Sequence, residues 1–225
     1  TCRDWSSDVC SSDLALKYPV NIYSTVGIHP HSAKYCNKSV LLKFKEMAKN
    51  KKVVAIGECG LDYNRDFSPR PVQDRWFEEH IELACELNMP LFLHERDASE
   101  KFIEILSKYK DSLPPTVVHC FTGNEDELDE YLKMGFYIGI TGWICDERRG
   151  LHLKEIVKKI PSDKLMLETD APYLIPRNMK NRPKSGRNEP AYLPYVANMV
   201  SKCVKKEIEI VANETTKSAK TFFKI

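Results

Sequence analysis

Four residues able to hold a divalent metal ion follow short apolar runs in this chain. Val53-Val54-Ala55-Ile56-Gly57 ends in Glu58, Leu91-Phe92-Leu93 ends in His94, and Val117-Val118 ends in His119. Leu165-Met166-Leu167 leads to Glu168 and Asp170. Two imidazoles and two carboxylates suit a borderline or hard ion such as Zn, Mn or Mg. Such an ion polarises phosphoryl oxygens and lowers the pKa of bound water to about 7 in favourable sites. Taken singly, a histidine after a strand is usually structural, and an Asp or Glu there is usually a helix cap. Recurrence in four separate units is what points to a metal site. Gly27-Ile28-His29-Pro30-His31 adds two histidines behind a further apolar run. His29 is expected to face phosphate or metal, and His31 is divided between a site role and a structural one.

The elements that must position these residues alternate along the chain. Apolar runs rich in Val, Ile, Leu and Phe lie at about 21–28, 53–58, 90–94, 116–121, 136–140 and 165–169. Each has the length of a strand buried on both faces. Helical patterns fill the intervals. Phe102, Ile105, Leu106 and Tyr109 share one face, and Leu128, Tyr131 and Leu132 another, with Gly135 near the expected C-cap. Further helices are expected over roughly 39–50, 72–88, 151–160, 190–204 and 206–223. Strand–helix repetition predicts a parallel α/β sheet. In a parallel barrel the C-terminal strand ends share one face, where the βα loops build the active site. The sequence gaps suit that arrangement: 58 to 94 is 36, 94 to 119 is 25, and 119 to 170 is 51, the last spanning the extra strand at 136–140.

Composition narrows the class. The chain has 225 residues, 42% hydrophobic, with a net charge of +2, so bulk charge selects no partner. There is no apolar run of membrane-spanning length and no basic-then-apolar leader pattern. Eight scattered cysteines include no Cys-x-x-Cys pair, which disfavours a disulfide framework or structural zinc and favours reduced thiols in a cytoplasmic setting, or a nuclear one in a eukaryote. Cys59 and Cys120, each beside a suspected ligand, read as small buried apolar residues. Residues 1–14, TCRDWSSDVCSSDL, lack apolar periodicity and resemble a translated sequencing adapter; we expect them to be non-native and residues 15–225 to form the folded domain.

Positive charge gathers in two loops. Asp146-Glu147-Arg148-Arg149-Gly150 follows the strand at 136–140, and Arg177, Lys180, Arg182, Lys184 and Arg187 follow the last one. No acidic residue lies between Asp170 and Glu189. Phosphate sites of such barrels often occupy the loops after the last two strands, so a polyanionic backbone is the expected partner. Phe121, Trp143 and Tyr173 lie near the same strand ends and offer rings for bases.

These motifs together resemble the TatD-type deoxyribonucleases. The matching stretches are Gly27-Ile28-His29-Pro30-His31, Gly57-Glu58-Cys59-Gly60-Leu61-Asp62, Leu93-His94, Val118-His119-Cys120-Phe121-Thr122-Gly123, Gly139-Ile140-Thr141-Gly142-Trp143, Asp146 to Gly150, Glu168-Thr169-Asp170-Ala171-Pro172-Tyr173 and Arg187-Asn188-Glu189-Pro190. The resemblance implies a TIM-like (β/α)8 barrel of the metal-dependent hydrolase type, here without about the first two strand–helix units. It implies a metal-dependent nuclease that cuts DNA phosphodiesters, as a 3′-to-5′ exonuclease on single-stranded DNA and with RNA as a further substrate. Links to DNA repair and DNA fragmentation come with it. One or two divalent ions are implied, Mg first, with Mn or Zn as alternatives. Glu58, His94, His119 and Asp170 would be metal ligands, with Glu58 and Asp170 catalytic. His29, His31, Arg148, Arg149, Glu168 and Arg187 would face substrate. No membrane or obligate protein partner is expected. Two other readings are hydrolysis of another ester such as aminoacyl-tRNA, and an inactive barrel that only binds nucleic acid.

Overall fold

A computed structural model describes residues 15–18, 20 and 22–225; the segment 1–14, read above as foreign, lies outside them. Among the described residues there are six strands: β1 (Ser24–Val26), β2 (Val53–Asp62), β3 (Leu91–Arg96), β4 (Thr116–His119), β5 (Tyr137–Ile140) and β6 (Leu165–Leu167). They lie in one sheet in chain order, and the pairs β1·β2, β2·β3 and β5·β6 are parallel. The expected parallel α/β class is therefore the observed one. The helices are α1 (Lys38–Met47), α2 (Arg70–Leu87), α3 (Ser99–Ser107), α4 (Glu125–Lys133), α5 (Leu153–Ile156), α6 (Leu193–Val204) and α7 (Ile208–Phe223). The helix expected over 151–160 is only one α-turn running into a 3-10 turn at Val157–Lys159. No helix among the described residues is long and apolar enough to cross a membrane.

The chain divides into two compact units, one reaching to Val117 and one from Val118 to Phe223. In the first, α2 organises the packing. Its buried residues include Gln73, Trp76, Phe77, His80, Ile81 and Ala84, the i, i+3, i+4 stripe of a core-facing helix. Phe77 stacks on Phe102 of α3 with ring centroids 5.0 Å apart, both fully buried. Burial of each such side chain contributes about 2 kcal/mol. Asn88 ends the helix in the left-handed conformation, which Asn tolerates better than most residues. Two members of the buried stripe, Gln73 and His80, are polar, and both reach the strand ends.

In the second unit, β5 and β6 pair in register, Ile138 opposite Leu165 and Ile140 opposite Leu167. A capping box starts α4: Asn124 Oδ1 accepts from the Glu127 N–H at 3.0 Å, and Glu127 Oε2 accepts from the Asn124 N–H at 2.8 Å. α7 buries Val211, Thr215, Ser218 and Phe222, with Phe222 edge-on to Tyr137 of β5.

Candidate metal centre

The first unit gathers His29, His31, Glu58, Asp62 and His94. Glu58 does not close β2, as the sequence suggested. The strand continues to Asp62, and its register against β3 shifts between Gly57 and Cys59, so Glu58 sits in a bulge. Bulges re-aim one side chain within a ladder and recur beside active sites. The glycines around it permit the close approach. Gly57 and Gly60 have φ of 144° and 140°, and an added Cβ would lie 2.1 Å from the Phe92 carbonyl oxygen or 1.9 Å from that of His94. Any side chain there would push β2 off β3 and part Glu58 from His94.

Asp62 orients this cluster, a role the sequence reading did not give it. Its carboxylate is buried and takes His31 Nε2 at 2.6 Å and His94 Nε2 at 3.3 Å on one oxygen. Its other oxygen takes the Asn64 and Arg65 N–H groups. Burial alone would raise its pKa, but the bonds from His31 and His94 prevail and hold the carboxyl well below the usual range. Gln73 of α2 fixes the same strand end, accepting from the Asp62 N–H at 2.8 Å and donating to the Asp62 carbonyl at 3.2 Å.

The lone pairs decide what each imidazole can do. His29 Nδ1 accepts from the His31 N–H at 3.1 Å. The neutral ring therefore carries its proton on Nε2, which faces Glu58 Oε1 at 3.3 Å. Burial lowers the His29 pKa despite that carboxylate. Although ligand-type atoms of His29, Glu58 and His94 all lie within 4.8 Å of one another, His29 has its one lone pair engaged and acts as a donor to Glu58. His94 is different. With Nε2 on Asp62, its Nδ1 faces Glu58 Oε1 at 3.0 Å, two acceptors that a shared cation would reconcile. His31, held by Asp62 and edge-on to Phe67, is anchored by its neighbours.

The second unit gathers His119, Cys120, Glu168 and Asp170. His119 ends β4, as expected. Its Nδ1 meets Glu168 Oε2 at 2.8 Å and its Nε2 lies 3.9 Å from Asp170 Oδ1. A carboxylate on one ring nitrogen fixes the tautomer and turns the lone pair of the other toward Asp170, a common arrangement around metals. The same Glu168 oxygen accepts the Cys120 N–H at 3.0 Å. Glu168 lies flat on β5, where a Cβ on Gly139 would come within 2.1 Å of Oε1. Through these bonds it holds the His119 ring and the Cys120 backbone together. Cys120 and Asp170 both adopt positive φ, 48° and 53°, a strained choice characteristic of functional sites. The Cys120 thiol joins His119 and Asp170 as a third ligand-type group, whereas Cys59 is buried as read and its thiol pKa is pushed up by that burial.

Of the other sequence candidates, Phe121 is buried against Tyr131 and offers no face to a base. Tyr173 is exposed. Arg148 and Arg149 both bind Asp146, and Arg187 is exposed on its loop.

A sequence profile described as TatD related DNase matches residues 6–224. The chain belongs to the TatD-related DNase family. It is 46% identical over 225 residues to the 3′-5′ ssDNA/RNA exonuclease TatD of Yersinia pseudotuberculosis, covering all of this chain and 86% of that protein. It is 49% identical over 210 residues to the protein of that name from Rahnella, covering 93% and 80%. A TatD homologue from Escherichia coli K12 superposes with a TM-score of 0.86 at 26% identity, over 96% of this chain and 82% of that one. A TatD family hydrolase from Entamoeba histolytica gives 0.85 at 24% identity, over 97% and 81%. The TatD-family fold, that of the TIM-barrel metal-dependent hydrolases, thus agrees with the class read from the sequence.

Proposed function

We propose that this TatD-family chain is a metal-dependent exonuclease that hydrolyses phosphodiester bonds of single-stranded DNA from the 3′ end and also accepts RNA. The carrying observation is that both His–carboxylate clusters have an imidazole oriented by a second carboxylate, Asp62 on His94 and Glu168 on His119. Names of relatives at 46% and 49% identity support the substrate. Glu58 and His94 in one unit, and His119 and Asp170 in the other, are the proposed ligands, with Glu58 and Asp170 the catalytic carboxylates. This nitrogen and oxygen set fits Mg, with Mn and Zn as competitors. A bound ion would polarise a phosphoryl oxygen and acidify water. His29 steadies Glu58 by donating from Nε2, and Arg187 lies exposed for contact with the strand. The six described cysteines form no disulfide among the described residues, in keeping with a reducing, cytoplasmic setting.

Digestion of end-labelled single strands with and without EDTA tests this. Loss of cleavage in chelator, restored by Mg or Mn, is expected, and His94→Ala or His119→Ala should lower turnover by about 10²-fold or more. Full cleavage in chelator would remove the metal mechanism. Cleavage of an aminoacyl ester in place of DNA would move the substrate assignment.

A further inference from the structure

The second unit holds a built cationic cradle apart from its His–Cys–Asp cluster. The 3-10 turn Gly142–Cys145 delivers Asp146, whose carboxylate is buried. Arg148 donates to it from Nε at 3.0 Å and Nη2 at 2.8 Å, and from its backbone N–H at 3.0 Å. Arg149 donates from Nε at 3.3 Å and Nη2 at 3.2 Å, and Arg177 Nε lies 3.7 Å away. The Arg148 guanidinium, above all, holds this carboxyl well below the usual range. Around it is a cavity of about 190 Å³ lined by Trp143, Arg148, Arg149, Arg177 and Arg182.

Two features show that the cradle is formed in advance. An added Cβ on Gly142 would lie 2.1 Å from the Leu174 carbonyl oxygen, and one on Gly150 would lie 1.9 Å from that of Trp143, so the loops are pressed backbone to backbone. The Arg149 guanidinium also lies over the Trp143 ring, 4.2 Å from its centroid. One carboxylate faces the guanidinium groups of Arg148, Arg149 and Arg177, each with five N–H donors, and Arg182 lines the same cavity. Asp146 takes two side-chain donors from Arg148 and two from Arg149. Positive charge and donors therefore remain in a cavity with room for a phosphate group.

We propose that this cradle is a phosphate subsite that takes one non-scissile phosphodiester of the bound strand, with Asp146 as the positioning residue that splays the arginines before the strand arrives. The assignment of the phosphate to a nucleic acid strand rests on the nuclease reading; the anion site itself does not. It divides the basic residues expected from sequence. Arg177 and Arg182 join Arg148 and Arg149 in the cradle, while Lys180, Lys184 and Arg187 are absent from its lining. Planar forked donors suit a phosphate better than ammonium groups.

Asp146 supplies the decisive test, because two effects of its removal have opposite sign. If charge alone mattered, neutralising an acid beside a polyanion site would tighten binding. If Asp146 positions the arginines, binding weakens although the net positive charge rises. The measurement is fluorescence anisotropy of a labelled oligo-dT with the full chain in EDTA, where cleavage is suppressed. Asp146→Asn is expected to raise Kd at least 5-fold, and Arg177→Gln and Arg182→Gln to raise it and flatten the slope of log K against log salt by about 0.7 per lost contact. Unchanged or tighter binding by Asp146→Asn would overturn the positioning role. Should that variant not melt cooperatively, Arg182→Gln decides: unchanged affinity and salt slope overturn the subsite. Competition identifies the source of the phosphate. A dinucleotide displacing the oligomer at lower concentration than inorganic phosphate supports a strand; equal potency overturns that assignment. Weakened binding by the variants, with no wild-type cleavage after metal is restored, would keep the subsite and sink the nuclease reading. Metal-dependent cleavage with unaltered binding would do the reverse.

Discussion

Acidification should destabilise the first unit through His80, a residue with no part in the chemistry. His80 is fully buried on α2. Its Nε2 accepts from the Ile28 N–H at 3.1 Å, and its Nδ1 donates to the Trp76 carbonyl at 2.6 Å, so its tautomer is fixed. Burial lowers its pKa from 6.5 to about 4. A proton on Nε2 would remove the acceptor that holds Ile28, the residue before His29, and put a charge against Phe44. The sign follows from which state binds the proton. Between the folded value near 4 and the unfolded value near 6.5, the unfolded chain binds more protons, so stability falls as pH falls through that window and is complete above it. At about pH 5 the loss is on the order of 2 kcal/mol, and at about pH 7 it is near zero. Urea unfolding in EDTA at both pH values, for wild type and His80→Gln, isolates this contribution, because Gln retains an acceptor and does not titrate. Wild type should lose about 2 kcal/mol more than the variant on acidification, roughly 1 M in urea midpoint. Exchange of the Ile28 amide proton should show greater loss of protection in wild type. Equal losses in the two proteins would refute the reasoning.

Two further outcomes follow from the same contacts. Gly60→Ala should cost about 3 kcal/mol in urea unfolding, since its Cβ would lie 1.9 Å from the His94 carbonyl at a φ of 140°, combining overpacking with backbone strain; a cost below about 1 kcal/mol would show that β2 and β3 are not so closely apposed. Glu168→Gln should weaken metal affinity by about 10–100-fold in equilibrium dialysis while changing the melting temperature little, and unchanged affinity would return Glu168 to a substrate-facing role.

How much was legible in the sequence follows from the range of the forces involved. Apolar runs of strand length mark burial on both faces, and that is local information, so all six strands were readable from the pattern of apolar runs. Boundaries were not. β2 runs four residues past Glu58 because glycines at 57 and 60 let the backbone continue beside β3, and glycine is also what a turn would show. The helix expected over 151–160 is one α-turn and a 3-10 turn, although its apolar spacing is helical.

Ligand-type residues could be read because they stand alone behind apolar runs, but the residues that orient them could not. Asp62 was visible within a motif, yet its task depends on His31 and His94, which lie 31 and 32 residues away in sequence. Gln73 and His80 sit on the buried stripe of α2 at positions where an apolar residue would fit the helical pattern equally well. A polar side chain at such a position has a desolvation cost of roughly 1–3 kcal/mol unless it finds a partner. That cost is the usable signal. Gln73 and His80 find partners at the Asp62 and Ile28 backbones, at the end of the strand that carries Glu58 and beside His29 after β1. A polar residue on the core stripe of a crossover helix therefore marks which strand end the helix is fastening. α2 thus secures the end of β2 beyond the Glu58 bulge and the backbone before His29, and the placement of Glu58 beside His94 depends in part on a helix that contributes no ligand.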